Sequence, residues 1–464
     1  MRRLFPLAVA ACAANIVFSA TFGTVTGPAG GASYTDIVLD EARSQLYLVN
    51  TANNKIDIYN TRTRTFLPSV AVSTQPLAAA LGWPVNGSSR YLYVTAYASS
   101  LLYQIDLTRT PPTVTNRINL PYHPEGVAVG ADGRVLVTTV GPGNNVTVNT
   151  LFLYDPNAPA TSNNLQPISL PVPPPTAPVT PTPPGREFLS NRAALLATAD
   201  GKYLIGANGI NGTTRLIFVY ESASATVLRS RQVANLSNVL SVAPDSTRFM
   251  AGSTLFDINT LQVLAQENVS NSPFAFPAGN TSNFNLQQNQ GGSVFSPDGS
   301  QLYAAFNINP LLSPAAKANT TQLLINDPAN LLIQMGIQMP ENLAGKMVIT
   351  KVGDTVFGIS DTGFITLPVS TISSSPLVAV DNSLHFLAND QCGVTAPLAR
   401  SVATVNNVGR GRLTVNVQSY TVPAQGTTGL GGVGGPGGGG IIGGIGGGGV
   451  IIVVPGGPVV RPGG

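Results

Sequence analysis

Seven short apolar segments recur along the chain and constrain its fold more than any other feature. They are YTDIVLD from Tyr34, PLAAALG from Pro76, PEGVAVG from Pro124, RAALLAT from Arg192, SNVLSVA from Ser237, GGSVFSP from Gly291 and GKMVITK from Gly345, with spacings of 42, 48, 68, 45, 54 and 54 residues. Most copies lead into a tight turn and a second apolar run. Asp132-Gly133 precedes Arg134 to Val137, Asp200-Gly201 precedes Lys202 to Ile205, and Pro297-Asp298-Gly299 precedes Gln301 to Ala305. Asp-Gly between apolar runs signals a hairpin, because glycine tolerates the positive φ that such a turn demands. The first unit gives the full pattern: a strand from Thr35 to Leu39, a return from Gln45 to Asn50, a third pass from Lys55 to Tyr59 and a fourth from Phe66 to Val72.

Four strands in about 40 to 45 residues is the dimension of a propeller blade. A lone four-stranded sheet cannot bury both faces, and radial stacking of seven supplies the missing partners while leaving only short edges. The repeat therefore predicts an all-β protein: a seven-bladed β-propeller of four-stranded antiparallel blades over residues 34–372. The phrases Gln45 to Asn50 with Lys55 to Thr61, Tyr91 to Thr95, and Pro124 to Val129 with Ala131-Asp132-Gly133 resemble YVTN-type β-propeller repeats. That resemblance runs from about Tyr34 to Ile372, closest in the first three units. It implies a secreted or surface protein of bacterial or archaeal type, and its motif specifies packing without naming catalytic residues.

The N-terminus fits an extracytoplasmic destination. Met1-Arg2-Arg3, the apolar run Leu4 to Val17 and the small pair Ser19-Ala20 have the layout of a secretory signal peptide spanning residues 1–20. Acylation of Cys12 after Val9-Ala10-Ala11 is the alternative, which would anchor a lipoprotein. The only other cysteine, Cys392, has no partner for a disulfide once the signal is removed and reads as a packing residue. The expected location is thus secreted, periplasmic or cell-surface. Only 10% of the residues are charged, against roughly 25% in ordinary domains. With a net charge of +3 over 464 residues there is no basic face for phosphates, which excludes a nucleic-acid partner. No membrane span is expected either: Ile441 to Val454 has 14 residues with six glycines, short of the ~20 that a spanning helix needs.

Two regions fall outside the repeat. The Pro-rich insertion at 170–186, with eight prolines between Leu170 and Gly185, reads as a solvated polyproline II spur. After the propeller, residues 373–421 read as a short β-hairpin appendage, Ala399 to Val405 pairing with Arg412 to Val417, that resembles the opening of an immunoglobulin-like module. Leu377 to Val380 and Leu384 to Leu387 are candidates to close the last blade. From Gly426 onward 20 of 39 residues are glycine, so residues 422–464 are expected to be a disordered Gly-rich tail.

Chemistry in a propeller is sought at the mouth of the central channel. Glu125, Asn238 and Lys346 occupy one column of the aligned segments, with Asp36 and Arg192 in adjacent columns. His123-Pro124-Glu125 is the one place where a histidine and a carboxylate lie close in sequence. This supports an alternative function, a metal-dependent lactonase-like hydrolase with Glu125 and His123 catalytic and Asp36, Glu125 and Asn238 holding Ca²⁺. Such a cation needs about six to eight oxygen ligands, and only three are supplied. The main expectation is a scaffold without catalysis or cofactor, which binds a protein or polysaccharide through its faces.

Overall fold

The computed structural model describes residues 22–28, 33–140, 151–159, 164–170, 193–211, 214–234, 236–267, 292–305 and 322–374, and the short segments 378–380, 405–407, 416–420 and 449–453. The signal segment, Cys12, the Pro-rich insertion beyond Leu170, Arg192 and Cys392 lie outside the described residues.

A three-residue strand, β1 (Thr24–Thr26), precedes the first repeat. Blade one is β2 (Asp36–Asp40), β3 (Gln45–Asn50), β4 (Lys55–Asn60) and β5 (Thr65–Ala71). Blade two is β6 (Pro76–Leu81), β7 (Tyr91–Ala96), β8 (Leu101–Asp106) and β9 (Thr113–Asn119). Blade three is β10 (His123–Val129), β11 (Val135–Val140), β12 (Leu151–Tyr154) and β13 (Leu165–Ile168). Blade four is β14 (Ala194–Ala197), β15 (Tyr203–Asn211), β16 (Thr214–Glu221) and β17 (Thr226–Val233). Blade five is β18 (Leu240–Val242), β19 (Arg248–Ala251), β20 (Thr254–Asp257) and β21 (Val263–Gln266). Blade six is β22 (Ser293–Phe295), β23 (Leu302–Ala304), β24 (Gln322–Asn326) and β25 (Ile333–Gln338). Blade seven is β26 (Leu343–Ile349), β27 (Val356–Ser360) and β28 (Phe364–Leu367), and its fourth strand is β1. A single helical turn, α1 (Ser370–Ser374), follows, and no helix among the described residues is long and apolar enough to cross a membrane. Every repeated segment becomes an innermost strand, every blade is antiparallel, and blades one to six are simple meanders.

Why the strands are apolar on both faces follows from the packing. Seven hydrophobic clusters fill the seven gaps between blades. In β3, Leu46 and Leu48 enter the cluster shared with Phe357 and Phe364 of blade seven, while Tyr47 and Val49 enter the cluster shared with Leu92 and Val94 of blade two. The period of two sends alternate side chains to different neighbours, so a middle strand reads as a continuous apolar run.

The ring closes differently from the expectation. The strand that completes blade seven is Thr24–Thr26, in the register Thr24↔Thr366 and Thr26↔Phe364. Of the candidates after Ile372, β29 (Val378–Val380) pairs instead with β30 (Val405–Asn407), and Leu384 to Leu387 lies outside the described residues. β28 needs an antiparallel partner along its free edge, and the N-terminal strand supplies it together with Phe22, which is buried in the cluster of blades six and seven. Of the two arms of the proposed appendage, Ala399 to Val405 and Arg412 to Val417, all but Val405, Asn416 and Val417 lie outside the described residues. β31 (Asn416–Tyr420) pairs with β32 (Gly449–Val453), whose β-branched run Val450-Ile451-Ile452-Val453 suits a strand. The rest of the appendage and the Gly-rich tail lie outside the described residues.

Candidate functional site

Each inner strand borders the channel and so keeps a row of backbone groups without a sheet partner on that side. Polar side chains from neighbouring blades meet this need. Asp36, buried at the start of β2, accepts from the Ala79 amide of blade two at 2.9 Å through Oδ2. Through Oδ1 it accepts from Lys346 Nζ of blade seven at 3.1 Å. Asp36 therefore binds three blades. Glu125 repeats the device: 3% exposed, it accepts from the Ala193 amide of blade four at 2.8 Å. Thr95 Oγ1 donates to the Glu125 carbonyl at 2.8 Å, and the Ser241 and Ser293 hydroxyls meet at 2.6 Å between blades five and six.

Of the residues singled out by sequence, the structure thus brings together Asp36 and Lys346. Glu125 is buried between blades three and four, while His123 is exposed at the start of the same strand. The strand is irregular between Pro124 and Val127, so the two side chains occupy different environments. Asn238 is half-buried in the turn that leads into β18. Among the described residues no three His, Cys, Asp or Glu side chains converge as a metal-holding group.

The Glu125 carboxylate is a structural acceptor, and removing it leaves a buried amide unsatisfied. Glu125→Ala is expected to destabilise the fold by about 1–3 kcal/mol, and Glu125→Gln by much less. Thermal unfolding with Ca²⁺ and with EDTA checks this. A Ca²⁺-dependent stabilisation that disappears in Glu125→Ala would assign the carboxylate to a cation instead.

The two ends of the channel differ. The face where inner strands end, here the base face, is closed by short turns that touch one another. Lys351 N donates to Glu41 at 2.5 Å, Ala131 N to the Gly201 carbonyl at 2.9 Å, and Ser246 Oγ to Asp200 at 3.4 Å. Gly201, at φ +64°, lies so close to Trp83 that an added Cβ would stand 2.2 Å from the indole. Most of these turns carry a carboxylate: Glu41, Asp132, Asp200, Asp245, Asp298 and Asp354. Asp298 shows the reason, since the Ser296 hydroxyl first and then the Ser300 amide and hydroxyl bond to it and hold it below the ordinary carboxylate range.

The face where inner strands begin, the mouth face, is built of other chemistry. His123 stacks on Tyr97 with ring centres 4.8 Å apart and planes at 22°. Its Nδ1 lies 2.8 Å from the Tyr97 carbonyl and 3.0 Å from Ser100 Oγ. A carbonyl can only accept, so Nδ1 carries a proton, which leaves Nε2 as the ring's other hydrogen-bonding position. The loops beneath interlock: Gln75 N donates to Asn54 Oδ1 at 3.0 Å, Tyr97 N to the Gln75 carbonyl at 2.9 Å, and Ser73 N to Tyr103 Oη at 3.0 Å. The mouth face also receives the strand ends that four long segments join: Val140 and Leu151, Ile168 and Ala194, Gln266 and Ser293, Ala304 and Gln322. Sequence reasoning found His123 but missed Tyr97, whose position beside it depends on the packing of blade two against blade three.

The fold defines the chain as a seven-bladed β-propeller. Among solved structures it is similar to one described as Kuenenia stuttgartiensis hydrazine synthase, at 15% identity and TM-score 0.51, covering 75% of this chain and 98% of that one. A second is the β-propeller domain of Myceliophteria thermophila Cps50 (Swd1), at 11% identity and TM-score 0.48, covering 73% of this chain and 97% of that one. The first likeness is one of fold. No protein-family profile and no curated protein sequence matches the chain.

Proposed function

We propose that the protein is an extracytoplasmic, YVTN-type propeller scaffold that holds a protein or polysaccharide partner on its mouth face without catalysing a reaction. One observation carries this reading: the four long segments all join strand ends on the mouth face, while short turns that bond to their neighbours close the base face. A rigid ring that collects its long connections on one side has the layout of a binding surface carried on a scaffold. The signal layout of residues 1–20 supports export, with Cys12 acylation as the alternative route to the cell surface. Cleavage after Ala20 would leave Phe22 and the closing strand β1 in the mature chain.

The test is binding of the full mature chain to cell-envelope fractions, untreated, protease-treated or periodate-treated. Replacing residues 171–192 with a short Gly-Ser link is expected to weaken binding, and Val352→Ser on the base face is expected to leave it unchanged. Binding that is lost only in the base-face variant would overturn the assignment of the face.

A further inference from the structure

The loops of blades one to three that meet on the mouth face are Thr51 to Asn54, Val72 to Gln75, Tyr97 to Ser100 and Leu120 to His123. None contains Asp, Glu, Lys or Arg. Their polar side chains are hydroxyls, amides and the His123 imidazole, set among the Tyr97 and Tyr122 rings and small or aliphatic residues such as Ala52, Val72 and Ala98. The base-face turns of the same ring are charged almost throughout, whereas the cations beside this patch are already engaged: Lys55 is ion-paired with Asp57 and Arg117 lies over the Tyr103 ring. We propose that the patch centred on the Tyr97–His123 stack binds an uncharged glycan; this rests on the scaffold reading above and narrows its partner to a neutral polysaccharide.

Three features fit that ligand. An exposed imidazole stacked on a tyrosine offers a flat, apolar surface for the C–H face of a sugar ring, and aromatic groups contribute such contact at low entropic cost. Polar groups surround it. Nε2 of His123 bonds to a sugar hydroxyl, Nδ1 being held by the Tyr97 carbonyl, while the Gln75 amide and the Ser99 and Ser100 hydroxyls both donate and accept. Finally, the surface is rigid before the ligand arrives. Asn54, Gln75 and Ser100 are held at φ 52°, 59° and 54°, and the loops bond across two blade junctions, from Asn54 to Gln75 and from Tyr97 to His123. A surface ordered in advance does not pay ordering entropy on binding. An anionic ligand would find no cation in these loops, and a cationic one no carboxylate.

Affinity electrophoresis of the full mature chain through gels containing neutral polysaccharides tests the proposal: hydroxyethylcellulose, glycol chitin, galactomannan and dextran, with polygalacturonate as the anionic control. At least one neutral polymer should retard the protein. Titration with the matching hexasaccharide should show affinity weakened about tenfold or more in His123→Ala and in Gln75→Ala, little changed in Tyr97→Phe and unchanged in Val352→Ser. His123 is exposed, so its variant should keep the wild-type melting temperature. Retardation by the anionic polymer alone, or binding that His123→Ala and Gln75→Ala leave intact, overturns the proposal. Envelope binding that survives periodate but not protease overturns it too, naming a protein partner and leaving the scaffold reading in place. Absence of both envelope and glycan binding sinks both.

Discussion

Stability should fall as pH rises from about 5 to about 8, and one buried residue, Glu267, should contribute a slope of about 1.4 kcal/mol per pH unit. Glu267 directly follows β21 and is 4% exposed. Its Oε2 accepts from Asn326 Nδ2 of blade six at 3.1 Å. The other two oxygens of the pair, Glu267 Oε1 and Asn326 Oδ1, are both buried without a partner. An ionised carboxylate would add a buried charge to two acceptors already unpaired, whereas a protonated one removes the charge and adds a donor. Burial favours that state and pushes the Glu267 carboxyl up to about 8.

Among the described residues the neighbouring strands add no countercharge. β21, β22, β23, β24 and β25 contain no charged residue, Arg248 of β19 is bonded to the Pro328 carbonyl and Asp245, and Asp257 of β20 accepts from Thr260. The sign follows from the raised folded-state value. The contribution is complete below the ordinary glutamate value of 4.5, is lost across the interval up to about 8, and is flat above it, because in that window only the folded chain holds the proton. Glu267→Gln replaces the acid with an amide of the same shape that is neutral at every pH. Its pH–stability curve should lose this slope, while Glu267→Ala should be destabilised throughout. Denaturant unfolding from pH 5 to pH 9 decides it, and equal slopes in wild type and Glu267→Gln would refute the protonated pair.

The second large effect concerns ring closure. A chain starting at Ser33 lacks β1 and Phe22, and it should lose at least the ~3–5 kcal/mol that accompanies truncation of a buried phenylalanine. Phe22 is 6% exposed in the cluster that includes Leu343, Ile365 and Leu367. Removal of β1 also leaves β28 as an open edge, a template for pairing with another chain. Phe22→Ala separates the two contributions, since it keeps the strand and removes only the packing. Thermal unfolding with light scattering should show a lowered melting point for both chains and self-association for the deletion alone. A monomer as stable as the full chain would mean that β1 does not close the ring.

Much of this architecture is legible in the residues. Gln45–Asn50 appears as a strand with the expected bounds, and Asp132-Gly133, Asp200-Gly201 and Asp298-Gly299 all turn between inner and second strands. Asp36 and Lys346, read as channel residues from their columns, do meet across blades one and seven. Others needed the fold. Glu125 and His123 are two positions apart in sequence, yet one is buried against Ala193 and the other stacked on Tyr97, because the strand between them is irregular. The partnership of Glu267 with Asn326 leaves no trace in either segment.

The sequence by itself determined the blade: alternating apolar residues give two buried faces, Asp-Gly sets the turns, and repetition sets how many sheets must stack. These are local properties, encoded within about 45 residues of chain. Only the tertiary structure decided which strand closes the ring, which carboxylates serve as acceptors between blades, and which loops share the mouth face. Each of those depends on groups far apart in sequence that meet only when the ring is formed. Three residues such as Thr24–Thr26 carry too little periodicity to announce their partner; the open edge of β28 selects them.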